Sequence, residues 1–308
     1  MPVPDSFSLK APAKINLWLR ILGQRDDGFH SVETRLAPLA LADELTLQPE
    51  PDSPDGTVRF TCDDSTVPGD ESNLVLKAIR ALERLTGLLP GMNLHLAKVI
   101  PHGAGLGGGS SDAAAALRLV QHVFRPEWAD ALLREAAAAV GSDVPFFLDG
   151  GVADATGRGE IVIPVREFTG TPPVLLVKVP FGVSTPWAYR QWHGSIAVPG
   201  LPYAPQVTPW GEFQNDLERP VFEKYQVLGH LKRVLQQSPG VVAALMSGSG
   251  STVFALLKEN VDRSALEAAV RDEVGAEAGL WWTRLAPVRQ PVQKVGPGPV
   301  LDARSVAL

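Results

Sequence analysis

The chain has 308 residues, 45% apolar and 20% charged, a composition that suits a folded globular protein able to bury a large core. With 28 Lys and Arg against 34 Asp and Glu the formal charge is −6, which argues against bulk binding of nucleic acid but leaves room for a local basic site. The single cysteine, Cys62, excludes an internal disulfide and a multi-thiolate zinc site.

No apolar run approaches the roughly 20 residues of a membrane helix. The first residues lack the basic and apolar segments of a signal peptide. The expectation is a cytoplasmic protein that binds neither membrane nor nucleic acid.

In chain order, Leu9–Ile21 alternates Ile15, Leu17, Leu19 and Ile21 with Asn16, Trp18 and Arg20, which predicts a strand with one buried face. Lys14 and Asn16 share the other face. Asp43–Leu47 and Thr57–Cys62 read as strands, with a turn over Asp52–Gly56. Ser72–Gly87 is helical by the spacing of Leu76, Ile79, Leu82 and Leu85, with Ser72 or Asn73 as cap and Gly87 as stop.

A strand over Leu94–Ile100 leads into a glycine-rich segment, then helices over Asp112–Phe124 and Glu127–Val140. Gly141–Gly151 reads as a loop, Ile161–Val165 and Val174–Val179 as strands, and Gly194–Gly211 as a loop. Phe213–Gln237 reads as a helix interrupted near Pro220. Val241–Met246 and Thr252–Leu257 read as strands around a glycine turn. Ser264 and Glu267 form a capping-box pattern for a helix ending near Gly275, and Leu280–Ala286 reads as a last strand. The tail from about residue 287 reads as loosely ordered. Separated strands and helices predict an α+β fold, with a lobe boundary within 155–172.

The segment Pro101-His102-Gly103-Ala104-Gly105-Leu106-Gly107-Gly108-Gly109-Ser110-Ser111-Asp112 lies between a predicted strand and a predicted helix. Its glycines let the backbone approach a ligand, and successive amides can point inward as an anion nest. The helix start adds unpaired N–H groups and a positive dipole end. Ser110 and Ser111 supply hydroxyls for phosphate or magnesium. The pattern is not a Walker A loop, because no Lys follows the glycines. Gly103-x-Gly105-x-x-Gly108 matches the dinucleotide fingerprint, but a helix rather than an acid-bearing strand follows. The remaining alternative is a glycine hinge whose serines cap the helix.

This segment resembles the central phosphate-loop motif of the GHMP kinases, the family of galactokinase, homoserine kinase, mevalonate kinase and phosphomevalonate kinase. Ala11–Leu17 resembles the family's N-terminal motif, and Met246–Thr252 its C-terminal glycine motif. The strings A-P-A-K-I-N-L, D-G-F-H-S-V, G-L-G-G-G-S-S-D, G-S-D-V-P-F-F, G-V-S-T-P-W-A-Y, N-D-L-E and M-S-G-S-G-S-T-V-F occur in order from about 11 to 254. Together they are most similar to the branch that phosphorylates 4-diphosphocytidyl-2-C-methylerythritol on the non-mevalonate route to isoprenoid precursors.

The resemblance implies an N-terminal ribosomal-protein-S5-like lobe, residues 1–165, and a ferredoxin-like C-terminal lobe, residues 166–308, with the site in the cleft. It implies transfer of the ATP γ-phosphate to a tertiary hydroxyl of a small molecule carrying cytidine diphosphate. ATP and Mg2+ are the expected cofactors, with no acidic metal ligand identified, and the expected state is a monomer or homodimer.

By the same resemblance Asp143 is the general base and Lys14 its partner; residues 101–111 hold ATP, with Gly248, Ser249 and Gly250 packed behind them. Asn16 and Thr185 contact the substrate. Phe29 and Tyr189 flank the cytosine, with His30 at its edge; Phe29 stands where the family commonly has Tyr. Read without the resemblance, Asp143 is a helix cap, Lys14 a surface lysine and Asn16 a solvated strand residue. Phe29 is then core packing, His30 a surface or capping group, Tyr189 a core cover and Gly248–Gly250 a tight turn.

Overall fold

A computed structural model describes residues 5–53, 57–286 and 291–297. It begins with one long hairpin, β1 (Asp5–Gln24) and β2 (His30–Pro49), closed by a turn in which Arg25 N donates to Phe29 O at 2.8 Å. Only the alternating parts of this hairpin were legible as strands. Leu36, Ala37, Pro38 and Leu39 of β2 are all buried, so both faces are covered and no alternation results. The pairing of β1 with β2 shifts register at Pro12/Lys14, Asn16/Trp18 and Ile21/Gly23. Such bulges re-aim side chains, and the first falls at Lys14.

β3 (Val58–Cys62), α1 (Leu74–Thr86) and β4 (Met92–Ala97) follow. Asn73 caps α1, its Oδ1 accepting from Val75 N at 2.8 Å. Next come α2 (Gly108–Phe124), α3 (Asp130–Val140), α4 (Val144–Asp149), β5 (Ala153–Thr156) and β6 (Ile161–Pro164). The first sheet runs β1-β2-β4-β3, with β5 on β2 and β6 on β5. The expected loop over Gly141–Gly151 contains α4, a helical turn buried through Phe146, Phe147 and Leu148 and too short to show periodicity.

The second half holds β7 (Pro173–Lys178), α5 (Thr185–Gln191), β8 (Gln206–Thr208), β9 (Gly211–Phe213), α6 (Glu218–Lys224), α7 (Gln226–Gln237), β10 (Val241–Met246), β11 (Thr252–Leu257), α8 (Arg263–Val274) and β12 (Gly279–Arg284). Its antiparallel sheet has the order β10-β11-β7-β12, the ferredoxin-like arrangement. The expected helix over Phe213–Gln237 divides into β9, α6 and α7. Pro220 is tolerated because it sits in the first turn of α6, where no helical N–H is needed. The Ser264/Glu267 capping box is not used. Asp262 caps α8 by accepting from Ala265 N, and Glu267 instead takes the Trp282 indole N–H at 2.5 Å.

β13 (Gln293–Pro297) pairs with β1, so the chain returns to the first sheet within a tail expected to be loose. Its order comes from a partner nearly 290 positions earlier in the chain, which no local pattern reveals. Residues 1–4, 54–56, 287–290 and 298–308 lie outside the described residues, including part of the expected turn over Asp52–Gly56 and the rest of that tail.

Ile15, Leu17 and Leu39 of the hairpin share one core with Leu176, Leu245 and Phe254 of the second sheet. Leu9 and Leu36 join α1, α2 and α4 in another. The hairpin is thus the seam between the lobes, and a polar group on it can face both. No helix among the described residues is long and apolar enough to cross a membrane.

Candidate active site

The glycine loop joins β4 to α2. Gly107 caps α2 in the left-handed region, at φ 71°, and no side chain caps the helix. The first-turn N–H groups of α2 therefore have no intrahelical partner, an arrangement suited to an anion. A cavity of about 440 Å³ runs along Pro101 to Ser110, closed on its far side by Val67, Pro68, Asn73 and Leu74. Lys98, Asp112 and Thr185 also line it. Ser111 does not. It is fully buried, its hydroxyl has no partner among the described residues, and it borders a separate cavity against β1 and α4.

A second cavity, of about 240 Å³, lies across the loop. It shares Gly105, Gly107 and Thr185 with the first and adds Lys14, Asn16, Thr34, Asp143, Arg158, Tyr189, Gly248 and Ser249. Lys14 is 4% exposed, not a surface lysine. Its backbone N donates to Leu106 O at 2.9 Å, which ties β1 to the glycine loop. Its ammonium donates to Asn16 Oδ1 at 2.7 Å and Gly105 O at 3.1 Å, and stands 3.6 Å from Asp143 Oδ2.

The Asn16 amide in turn donates to Thr34 Oγ1 at 2.8 Å, and Thr34 donates to Trp18 O at 2.6 Å. Asn16 is thus hydrogen-bonded at both its oxygen and its nitrogen, and it also lines this cavity. Asp143 occupies the N-cap position of α4, yet its side chain makes no capping bond. Its carboxylate is left for the lysine and the cavity.

The C-terminal glycine turn backs the loop. Ser247 Oγ donates to Gly105 O at 2.9 Å, Thr252 N donates to Ala104 O, and Ser249 shares a 2.7 Å hydrogen bond with Thr185. The turn is gripped from below by Asn215, whose amide donates to Met246 O at 2.8 Å and Gly248 O at 2.7 Å. Beside it Glu218 accepts from Met246 N at 2.9 Å and pairs with Lys232 at 2.6 Å, both buried. Burial, only partly offset by Lys232, raises the Glu218 carboxyl above its ordinary value.

A further buried network braces the loop's entrance. Asp43 accepts from Val99 N and Ile100 N and from Lys98 at 2.5 Å; Lys98 also reaches Asp112 at 2.9 Å. Burial works to lower the Lys98 ammonium, and the charges of Asp112 and Asp43 outweigh it and raise it. Burial raises Asp112 to about 7, with Lys98 opposing and Asp43 adding to the shift.

Of the residues expected around a cytosine, Tyr189 and Thr185 line the second cavity; Phe29 and His30 do not. Phe29 is 53% exposed on the hairpin turn, with the Arg158 guanidinium 5.0 Å over its ring. The His30 ring faces Tyr189 at 5.4 Å. Burial holds His30 below its ordinary value, favouring the neutral imidazole. Burial and the Asp143 charge both push the Tyr189 phenol upward, so it stays protonated. Thr34, Asp43, Lys98 and Arg158 carry parts of this site that no motif marked; Asp112 and Asn215 lie in quoted strings that gave them no role, and Arg158, a cation between two glycines, carries a local signal of its own.

A glycine loop facing a lysine–carboxylate pair across a shared wall suits phosphoryl transfer, and the relatives are kinases. The GHMP kinases N terminal domain model matches residues 73–151, and the GHMP kinases C terminal model matches residues 208–276. A 4-diphosphocytidyl-2-C-methyl-D-erythritol kinase from Methylacidiphilum infernorum is 40% identical over 273 residues, 88% of this chain and 93% of its own. The chain belongs to the GHMP kinase family.

As a GHMP kinase it is a phosphotransferase with ATP as donor and a small-molecule alcohol as acceptor. A second relative with the same name, from Prosthecochloris aestuarii, is 40% identical over 84% of this chain and 91% of its own. A solved 4-(cytidine 5'-diphospho)-2C-methyl-D-erythritol kinase is 31% identical, with a TM-score of 0.72 over 91% of this GHMP kinase and 99% of that chain. A homoserine kinase from Cytophaga hutchinsonii, 17% identical with a TM-score of 0.66, shares the two-lobed fold.

Proposed function

We propose that this kinase transfers the γ-phosphate of ATP to the tertiary 2-hydroxyl of 4-diphosphocytidyl-2-C-methyl-D-erythritol, a step in isoprenoid precursor synthesis. The observation that carries the chemistry is the shared wall. Gly105 and Gly107 border both the cavity of the glycine loop and the cavity of Lys14 and Asp143. A triphosphate on the loop amides then presents its terminal phosphorus to an alcohol beside Asp143. Val67, Pro68 and Leu74 offer the adenine an apolar wall.

Asp143 accepts the hydroxyl proton as the new O–P bond forms and the bond to the β-phosphate oxygen breaks, releasing ADP. Lys14, whose ammonium stands 3.6 Å from Asp143, stabilises negative charge at the transferring group. Ser110 and Asp112, whose Oδ1 has no partner among the described residues, line the nucleotide cavity with the oxygen donors that magnesium prefers. When bound, magnesium neutralises phosphate charge.

The names of the relatives support the cytidine substrate, as does the aromatic contact of Tyr189 with His30, a neutral imidazole that can pair with a base edge. ADP release is measured with this alcohol, with homoserine and with mevalonate. Turnover of the cytidine compound alone is expected. Turnover of either of the others, without the first, removes the substrate assignment.

A further inference from the structure

The substrate proposed above has three parts: a cytidine, a diphosphate and the reacting alcohol. On that reading Asp143 and Lys14 stand at the alcohol end and Tyr189, against the ring of His30, at the cytidine end, with Phe29 beyond the cavity on the hairpin turn. The dianionic bridge between them has no partner yet. Arg158 lies on the turn from β5 to β6, held to the hairpin where Val32 N donates to Gly157 O at 2.8 Å. It lines the cavity of Lys14 and Asp143, and its guanidinium stands over Phe29. It therefore stands between the cavity of the reacting pair and the ring of Phe29.

Its backbone N donates to Glu160 Oε2 at 2.6 Å, and its Nε lies 3.5 Å from Glu160 Oε1. Among the described residues, no hydrogen bond holds its two terminal nitrogens. Lys14, the other cation lining this cavity, is already shared among Asn16, Gly105 and Asp143. We propose that Arg158 binds the diphosphate of the acceptor substrate and so sets the distance between the cytidine end and Asp143. A guanidinium presents forked donors that match two phosphate oxygens, and Glu160 and the Phe29 face hold that fork in place.

The proposal rests on the cytidine-diphosphate reading, and its test separates the two. Inhibition by cytidine 5′-diphosphate and by cytidine is measured for the full-length wild type, Arg158→Ala and Arg158→Lys, with KM and kcat for both substrates. Arg158→Ala should weaken the diphosphate about tenfold or more and cytidine less than about twofold. KM for the alcohol should rise more than kcat falls, KM for ATP should hold, and Arg158→Lys should recover part of the diphosphate affinity. Equal weakening of both inhibitors would make Arg158 a packing partner of Phe29 and overturn the assignment; so would no weakening of either. If the wild type does not phosphorylate the cytidine alcohol, the substrate reading falls and takes this inference with it. If it does, and the ratio of the two inhibitors is unchanged in Arg158→Ala, only Arg158 is removed.

Discussion

Gly105 of the glycine loop lies directly against Ser247 of the C-terminal glycine turn. The Ser247 hydroxyl donates to the Gly105 carbonyl, and a Cβ built on Gly105 would stand 2.3 Å from the Ser247 carbonyl oxygen and 2.9 Å from that of Gly250. Gly105 also sits at φ +74°. The two glycine motifs therefore fold against each other as one unit, and neither backbone can retreat without moving the other.

Gly105→Ala should lose more than backbone strain alone predicts. Gly87 is the internal reference: it has φ +68° and nothing within 4 Å of its Cβ position. Gly87→Ala should cost ~1 kcal/mol, the penalty of a left-handed alanine. Gly105→Ala should cost ~3 kcal/mol, since overpacking against fixed backbone is added to that strain. KM for ATP should also rise in Gly105→Ala and not in Gly87→Ala. Urea unfolding and steady-state kinetics on the two variants decide the matter. Equal stability losses would mean that the two loops part easily.

Lys14 and Asp143 should separate chemistry from folding. Asp143 makes no cap bond and its side chain is 38% exposed, so Asp143→Asn should change stability by no more than ~0.5 kcal/mol. Its kcat should fall by roughly 10³-fold, within the range for losing a general base. ATP binding, followed by equilibrium titration, should persist. Lys14→Met should cost both activity and stability, because Asn16 and Gly105 O lose a buried donor. Near-normal turnover in Asp143→Asn would remove it as the base.

What the sequence made legible follows from how far apart the partners lie. The glycine loop, Lys14 and Asp143 sit in short contiguous strings whose residue types fit phosphate and proton chemistry. The alternation of Ile15, Leu17, Leu19 and Ile21 put Lys14 on the face that now meets the loop. It did not reveal that this face is buried, because its cover, the glycine loop at Gly105, lies 91 positions further along the chain. Asp43 braces Val99 and Ile100 across 56 and 57 positions, and Asn215 grips Gly248 across 33. Such pairs leave no local period, and each reads alone as a strand or loop polar residue. The N-D-L-E string was visible, but its work beneath the glycine turn was not.

That string supplies a test of how the turn is held. Glu218 accepts from Met246 N, at the root of the turn, and its charge is balanced by Lys232, which also donates to Pro202 O at 2.8 Å. Lys232→Met leaves a buried carboxyl with its backbone contact but without its counter-charge. The Glu218 carboxyl, already raised by burial, then rises further. The folded chain holds a proton that the unfolded chain releases above its ordinary value of 4.5. Stability therefore falls as pH climbs from that value toward the raised one. Lys232→Met should be ~3 kcal/mol less stable than wild type at pH 8 and distinctly closer to it at pH 5. In Glu218→Gln with Lys232→Met, the amide oxygen still accepts from Met246 N and neither group titrates, so at pH 8 the deficit should be smaller than that of Lys232→Met. Urea melts of the three proteins at pH 5 and pH 8 measure this. A Lys232→Met deficit that does not grow with pH would mean that Lys232 does not offset the burial of the Glu218 carboxyl, and that the carboxyl's hydrogen bond to Met246, not its pairing with Lys232, anchors the turn against the glycine loop.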